Sequence, residues 1–154
     1  MSTADGDSGA GGDSRLAELR VPARAERLAI VRATVRAALD HPDWVAVRDD
    51  VVLAVDEACQ NVIRHAYGAD GGGDLEVHLT TGPDRLVIDV RDFAPPVDPD
   101  RVAGRDLDDV QPGGLGVNLI RSVMDEARFL PPPAGGGNLF RMTRYHQAMG
   151  RERQ

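Results

Sequence analysis

Glu57 and Asn61 stand four residues apart in the run DEACQNVIRHAY, residues 56–67, so on a helix both project from one face, with Arg64 and His65 one turn further along. Their chemistries are complementary. A carboxylate takes a proton from a nucleophile, an amide oxygen holds a hard cation such as Mg²⁺, and a guanidinium meets a phosphate. Val51, Val55, Ala58, Val62 and Ala66 form an apolar stripe that buries the same helix, so the polar row is expected to border a pocket. Polar residues at helical spacing are more often a solvated face, and the row alone identifies nothing.

Two further features change that balance. PGGLGVNLIR, residues 112–121, places three glycines before an apolar run of Val117, Leu119, Ile120 and Val123 that reads as a short helix. Glycines let backbone approach a ligand closely, and the free amides at a helix start favour phosphate. Between the two motifs, residues 86–91 alternate as a strand and end in Asp92, followed by FAPPVDP. A carboxylate at a strand end can accept a hydrogen bond from an exocyclic amine such as that of adenine.

Glu57 and Asn61 in EACQN, Asp92 in DFAPP, and GGLG at residues 113–116 followed by LIRSVMDE resemble the N, G1 and G2 boxes of the GHKL (Bergerat-fold) ATPases. The wording of the last box and of NVIRHAY is most similar to the bacterial anti-sigma-factor serine kinases of the RsbW/SpoIIAB type. The resemblance runs from about residue 19 to residue 145, and three motifs in order make it specific. It implies that Asn61 holds Mg²⁺ on the phosphates of ATP and that Glu57 is the general base accepting the proton of a protein hydroxyl. It implies that Asp92 selects adenine and that the amides of Gly113, Gly114, Leu115 and Gly116 meet the phosphates. Arg64 either meets phosphate too or pairs with an acidic neighbour on the surface. In HAY, His65 is expected to be a hydrogen-bonded structural residue. Two departures from the family pattern stand out: Ala94 occupies the usual glycine position after Asp92, and Gly137–Asn138 replaces the usual Gly-Thr, so no hydroxyl contact near adenine can be assigned there.

Composition fits one small domain. A chain of 154 residues is enough for one core. Net charge is −7 and all 18 basic residues are arginine, so a basic nucleic-acid footprint is absent, and so is the lysine that a P-loop requires. Cys59 is the single cysteine, which excludes an intramolecular disulfide, and it is expected in the core. No apolar run approaches the ~18 residues of a membrane span and no signal-peptide pattern opens the sequence, so a cytoplasmic protein is expected.

The elements that must position these residues can be placed in outline. Residues 1–14, rich in Gly, Ser and Asp, read as a disordered tail, 15–147 as the ATPase domain and 148–154 as a second tail. A first strand is expected at 16–21, a helix through RAERLAIVRATVRAAL, and a second helix over 44–67. Two strands follow around a turn at 81–84, then an acidic connection at 98–111 that reads either as a short mobile lid over the nucleotide or as a plain surface loop, the third helix, and a last hairpin of strands at 126–130 and 139–145. That order predicts an α+β two-layer sandwich with helices on one face of a mostly antiparallel sheet.

Two classes of function follow. One is an ATP-dependent serine/threonine kinase that phosphorylates a STAS-type antagonist and sequesters an RNA polymerase sigma factor. The other is a nucleotide-dependent binding switch without kinase activity. The presence of Glu57 favours the kinase. The resemblance also favours a homodimer. A sensor histidine kinase fits poorly, because the only upstream histidine, His41, lies beside Pro42 in a predicted turn.

Overall fold

Strict alternation in DLEVHLTT and RLVIDVRD puts Leu75, Val77 and Leu79, and then Leu86, Ile88 and Val90, on one side of two consecutive strands. All six are buried. The computed structural model describes residues 12–67, 72–96 and 115–146, with the side chains of 115–117 left aside. The expected lid at 98–111, Gly113 and Gly114, and the outer parts of both tails lie outside the described residues.

Five strands form one sheet in the order β1-β2-β3-β5-β4. They are β1 (Ser14–Pro22), β2 (Asp74–Thr81), β3 (Arg85–Asp92), β4 (Glu126–Leu130) and β5 (Asn138–Tyr145), and every neighbouring pair is antiparallel. The hairpin joining β2 and β3 turns through Pro83 and Asp84 and is closed by the Gly82 N–H donating to the Arg85 carbonyl at 2.8 Å. The strand β1 begins at Ser14, inside the expected tail. Pairing of Ser14 with Thr81 and Arg15 with Thr80 carries the ladder outward, and Asp13 meets Arg85 at 3.5 Å.

Among the described residues three helices cover one face. A 3-10 turn at Ala25–Arg27 leads into α1 (Leu28–Ala38), which buries Leu28, Val31 and Val35 at helical spacing. The second helix, α2 (Arg48–His65), is shorter than the 44–67 expected, because the chain from His41 to Val47 is wound into tight turns first. Those turns seat Trp44 in the core, with its ring 4.8 Å from that of His146. Asp49 and Asp50 in the first turn of α2 and Arg64 and His65 in its last complement the helix dipole. The third, α3 (Leu115–Val123), buries Ile120 and Val123 and packs on α2.

Helices α1 and α2 are tied on their outer side by Arg32 to Asp56 at 2.8 Å and by Arg36 to Asp49. The inner sides merge into one core, where Leu39, Val51, Val55, Leu75, Leu79, Leu86, Ile88, Ile120 and Met142 are fully buried. The opposite sheet face carries polar rows such as Glu18, His78, Asp89 and Arg141, cross-strand neighbours in register. Arg141 holds Asp89 through two bonds of 2.7 and 2.8 Å. The result is a two-layer α+β sandwich.

Candidate nucleotide site

The helix α2 is the first support of the site. Its buried side takes Val51, Val52, Ala54, Val55, Ala58 and Cys59, which leaves Glu57 and Asn61 half-buried at the border of the core. Arg64 and His65 are exposed in the last turn. Arg64 Nη2 stands 3.7 Å from Glu57 Oε2 and donates to Gln60 Oε1 at 3.1 Å. The acidic neighbour expected as one alternative for Arg64 is therefore Glu57 itself. With the arginine side chain 53 % exposed, this pair is worth little and leaves the carboxylate available.

A second line of bonds runs behind Glu57. Asp56 is buried and accepts from Arg32 Nη1 at 2.8 Å and from Gln60 Nε2 at 2.7 Å, so Gln60 links Asp56 to Arg64. Cys59 lies fully buried, as expected, and burial, followed by the nearby Asp56 charge, pushes its thiol up to about 12. It is a core residue and not a reactive one.

The end of β3 is the second support. Asp92 is only 6 % exposed, and its Oδ1 accepts the Ala94 backbone N–H at 3.0 Å and the Asn138 side-chain amide at 2.9 Å. Burial raises its pKa above the ordinary carboxylate range, while the Asn138 amide and the Ala94 N–H work in the opposite direction. The Asn138 backbone N–H also bonds this carboxylate, so a buried acceptor is held in place at the strand end. Ala94 is buried and contributes its amide to this arrangement.

The neighbouring β5 shapes the same place. Asp92 is paired in register with Asn138, and Gly137 precedes it with φ +82°. A Cβ on Gly137 would lie 2.0 Å from the Asp92 carbonyl oxygen, so only glycine lets the two backbones pass this closely. Asn138 thus supplies the polar contact that sequence alone could not assign. Its signal is the strand register, which places it opposite Asp92 and which no local pattern announces.

The role of Tyr67 is likewise invisible in the sequence. Its hydroxyl donates to the Asp74 carbonyl and accepts the Phe93 N–H, both at 2.6 Å. Burial raises the Tyr67 pKa, with the Phe93 bond opposing. The structural hydrogen-bonding role expected of His65 belongs instead to Tyr67, two residues on. The Phe93 ring lies between two guanidinium groups, Arg20 at 4.2 Å and Arg91 at 4.7 Å.

The third support is α3. Its described span opens at Leu115, so Leu115 and Gly116 lie within the helix.

A helix bearing a carboxylate and an amide, and a strand end bearing a buried carboxylate, stand on an antiparallel α+β sandwich, an arrangement suited to holding a nucleotide. A family profile for the histidine kinase-like ATPase domain matches residues 21–144. The chain is similar to the serine-protein kinase RsbW of Bacillus subtilis strain 168, with 31 % identity over 120 residues covering 72 % of this chain and 75 % of the relative. It is 32 % identical to RsbW of Bacillus pumilus strain SAFR-032 over 149 residues, 90 % of this chain and 88 % of the relative, and 30 % identical to RsbW of Staphylococcus aureus over 142 residues, 83 % and 85 %. The chain belongs to the RsbW family of serine-protein kinases, within the histidine kinase-like ATPases. Among the described residues no helix is long and apolar enough to cross a membrane.

Proposed function

We propose that this protein transfers the γ-phosphoryl group of Mg-ATP to a serine or threonine of a STAS-type anti-sigma-factor antagonist, and that it sequesters an RNA polymerase sigma factor in the same cytoplasmic partner-switching circuit, acting as a homodimer. The observation that carries the reading is the joint placement of Glu57 and Asn61 on α2, a helix followed two residues on by Tyr67, which is hydrogen-bonded to the backbone beside Asp92. The chemistry of the donors fits the nucleotide. Asp92 offers a fixed, buried acceptor to the adenine amine, and the single half-buried amide of Asn61 suits Mg²⁺, which keeps most of its shell as water and phosphate oxygen. When bound, the metal neutralises charge on the transferring phosphoryl group.

In this reading Glu57 accepts the proton of the substrate hydroxyl as its oxygen bonds to the γ-phosphorus and the bond to the β-phosphate oxygen breaks, releasing ADP. Arg64 stands one turn from Asn61, exposed and only weakly held by Glu57, and is free to meet phosphate. The backbone of Gly113, Gly114, Leu115 and Gly116 is assigned to the phosphates. A binding switch without chemistry gains nothing from an accessible, half-buried carboxylate beside the metal-holding amide, so the kinase is preferred. Incubation with γ-labelled ATP and a panel of STAS-domain proteins tests it: label on one of them at a serine or threonine is expected, and none on any would leave the binding switch.

A further inference from the structure

In an antiparallel ladder, directly opposed residues alternate between pairs that exchange both backbone hydrogen bonds and pairs that exchange none. The Gly82 N–H donates to the Arg85 carbonyl, which makes Gly82 and Arg85 a bonded pair. Along the same register every second pair is bonded, and the first pair past the last one formed, Leu75 with Asp92, would be Asp74 with Phe93, a bonded position. There the Phe93 N–H should donate to the Asp74 carbonyl directly. It does not. The Tyr67 hydroxyl stands between them, accepting from Phe93 N and donating to Asp74 O, 2.6 Å on each side. The hydroxyl thus takes the place of the direct rung at the residue following Asp92.

The surroundings fit a wedge. A Cβ on Gly73 would fall 1.9 Å from Cε1 of the Tyr67 ring, so the ring occupies space that only a glycine leaves open. Past the wedge the chain turns back, and the Ala94 N–H reaches Asp92 Oδ1. We propose that Tyr67 is a positioning residue for base recognition: its hydroxyl replaces one rung of the β2–β3 ladder and so sets where the Asp92 carboxylate stands. The inference rests on the adenine reading of Asp92. It also makes base choice depend on a side chain carried at the end of the helix that bears Glu57 and Asn61.

Tyr67→Phe keeps the ring over Gly73 and removes only the hydroxyl. The variant should remain folded by thermal melting, and the Phe93 amide should shift in NMR spectra as it closes onto Asp74. Calorimetric titration should show ATP binding weaker by about tenfold, the scale of a lost or misplaced hydrogen bond to a charged group. The ATP-over-GTP preference should fall with it, and Mg-pyrophosphate, which engages only the phosphate end, should bind as to wild type. A folded variant with the wild-type ATP-to-GTP ratio would overturn the proposal, and so would parallel losses for ATP, GTP and pyrophosphate, the mark of a merely structural role. In wild type the Phe93 amide should exchange slowly with solvent, and fast exchange would refute the inserted rung without any variant. If wild type binds pyrophosphate but shows no preference for ATP, the adenine reading itself fails, and this inference with it.

Discussion

Asp92→Asn separates binding from stability more sharply than any other single change. The asparagine is isosteric, and its carbonyl can keep the two bonds that Oδ1 now accepts, from Asn138 Nδ2 at 2.9 Å and Ala94 N at 3.0 Å, although the carboxylate also takes a bond from the Asn138 backbone N–H. With those two bonds kept, the change to the local backbone should be small. The asparagine NH₂ then stands at the position of Oδ2 and offers a donor to the adenine amine, itself a donor, and the negative charge is gone. The loss is that of one hydrogen bond to a charged group, about 1.5–3 kcal/mol, or roughly tenfold to somewhat over a hundredfold in ATP affinity. GTP, whose base presents a carbonyl where adenine has the amine, should gain relative to ATP.

Stability should move the other way. Burial raises the folded-state pKa of Asp92 above the ordinary 3.8 of an aspartate, so at neutral pH the ionised carboxylate costs the folded state energy that the unfolded chain does not bear. For a raised carboxyl pKa the folded state binds more protons, and this contribution to stability improves as pH falls through the folded value and levels off below the unfolded one. Asn has no such cost, so the variant should melt at or above the wild-type temperature near pH 7 and lose that margin as pH falls. ATP binding by wild type should weaken over the same acid range, because a protonated Asp92 is a poorer acceptor, while the variant should lack that limb. Side-by-side ATP and GTP titrations and melts across pH check both halves. A variant with the ATP preference of wild type would place adenine recognition elsewhere and remove Asp92 from the site.

Glu57→Gln should keep the fold, since the side chain is 24 % exposed and its Arg64 contact is weak, and should reduce phosphate transfer. The expected drop is roughly 10² to 10⁴, with ATP affinity little changed, and single-turnover assays with a phosphorylatable antagonist would show it. Unchanged transfer would take Glu57 out of the chemistry. Asn61→Ala should abolish the Mg²⁺ dependence of ATP binding, measured by titration with and without the metal; a wild-type protein indifferent to Mg²⁺ would contradict the assignment. Gly137→Ala should lower the melting temperature, because a side chain at φ +82° is strained and its Cβ would lie 2.0 Å from the Asp92 carbonyl oxygen. At least about 1–3 kcal/mol is expected from the backbone alone, and wild-type stability would mean that β5 can shift away from β3.

Elements whose pattern is local are legible in the amino-acid sequence. Alternation marks β2 and β3 to within a residue or two, and the order of helices and strands implies the sandwich, because burial on one face imposes a period of two or of 3.6 on the chain itself. Helix ends are not legible in the same way. Trp44 and Val45 look like the start of α2, yet the His41 carbonyl accepts the N–H groups of both, and a seven-residue turn buries Trp44 before the helix begins at Arg48. The strand β1 runs past its apolar residues to Ser14 because ladder bonds to Thr80 and Thr81 need no side chain to continue.

The site shows the same division. Glu57, Asn61 and Asp92 stand out because each carries its chemistry in its own side chain and sits in a short motif. Tyr67, Gly137 and Asn138 do not, because their roles exist only through partners distant in sequence: Tyr67 through Asp74 and Phe93, Gly137 and Asn138 through Asp92, 46 residues before Asn138. Asn138 is instructive, since judged by residue type it looks like the loss of a hydroxyl near adenine, whereas the register places its amide on the Asp92 carboxylate. A family motif read as letters records which residue usually supplies a contact, and strand pairing shows whether this chain supplies it in another way.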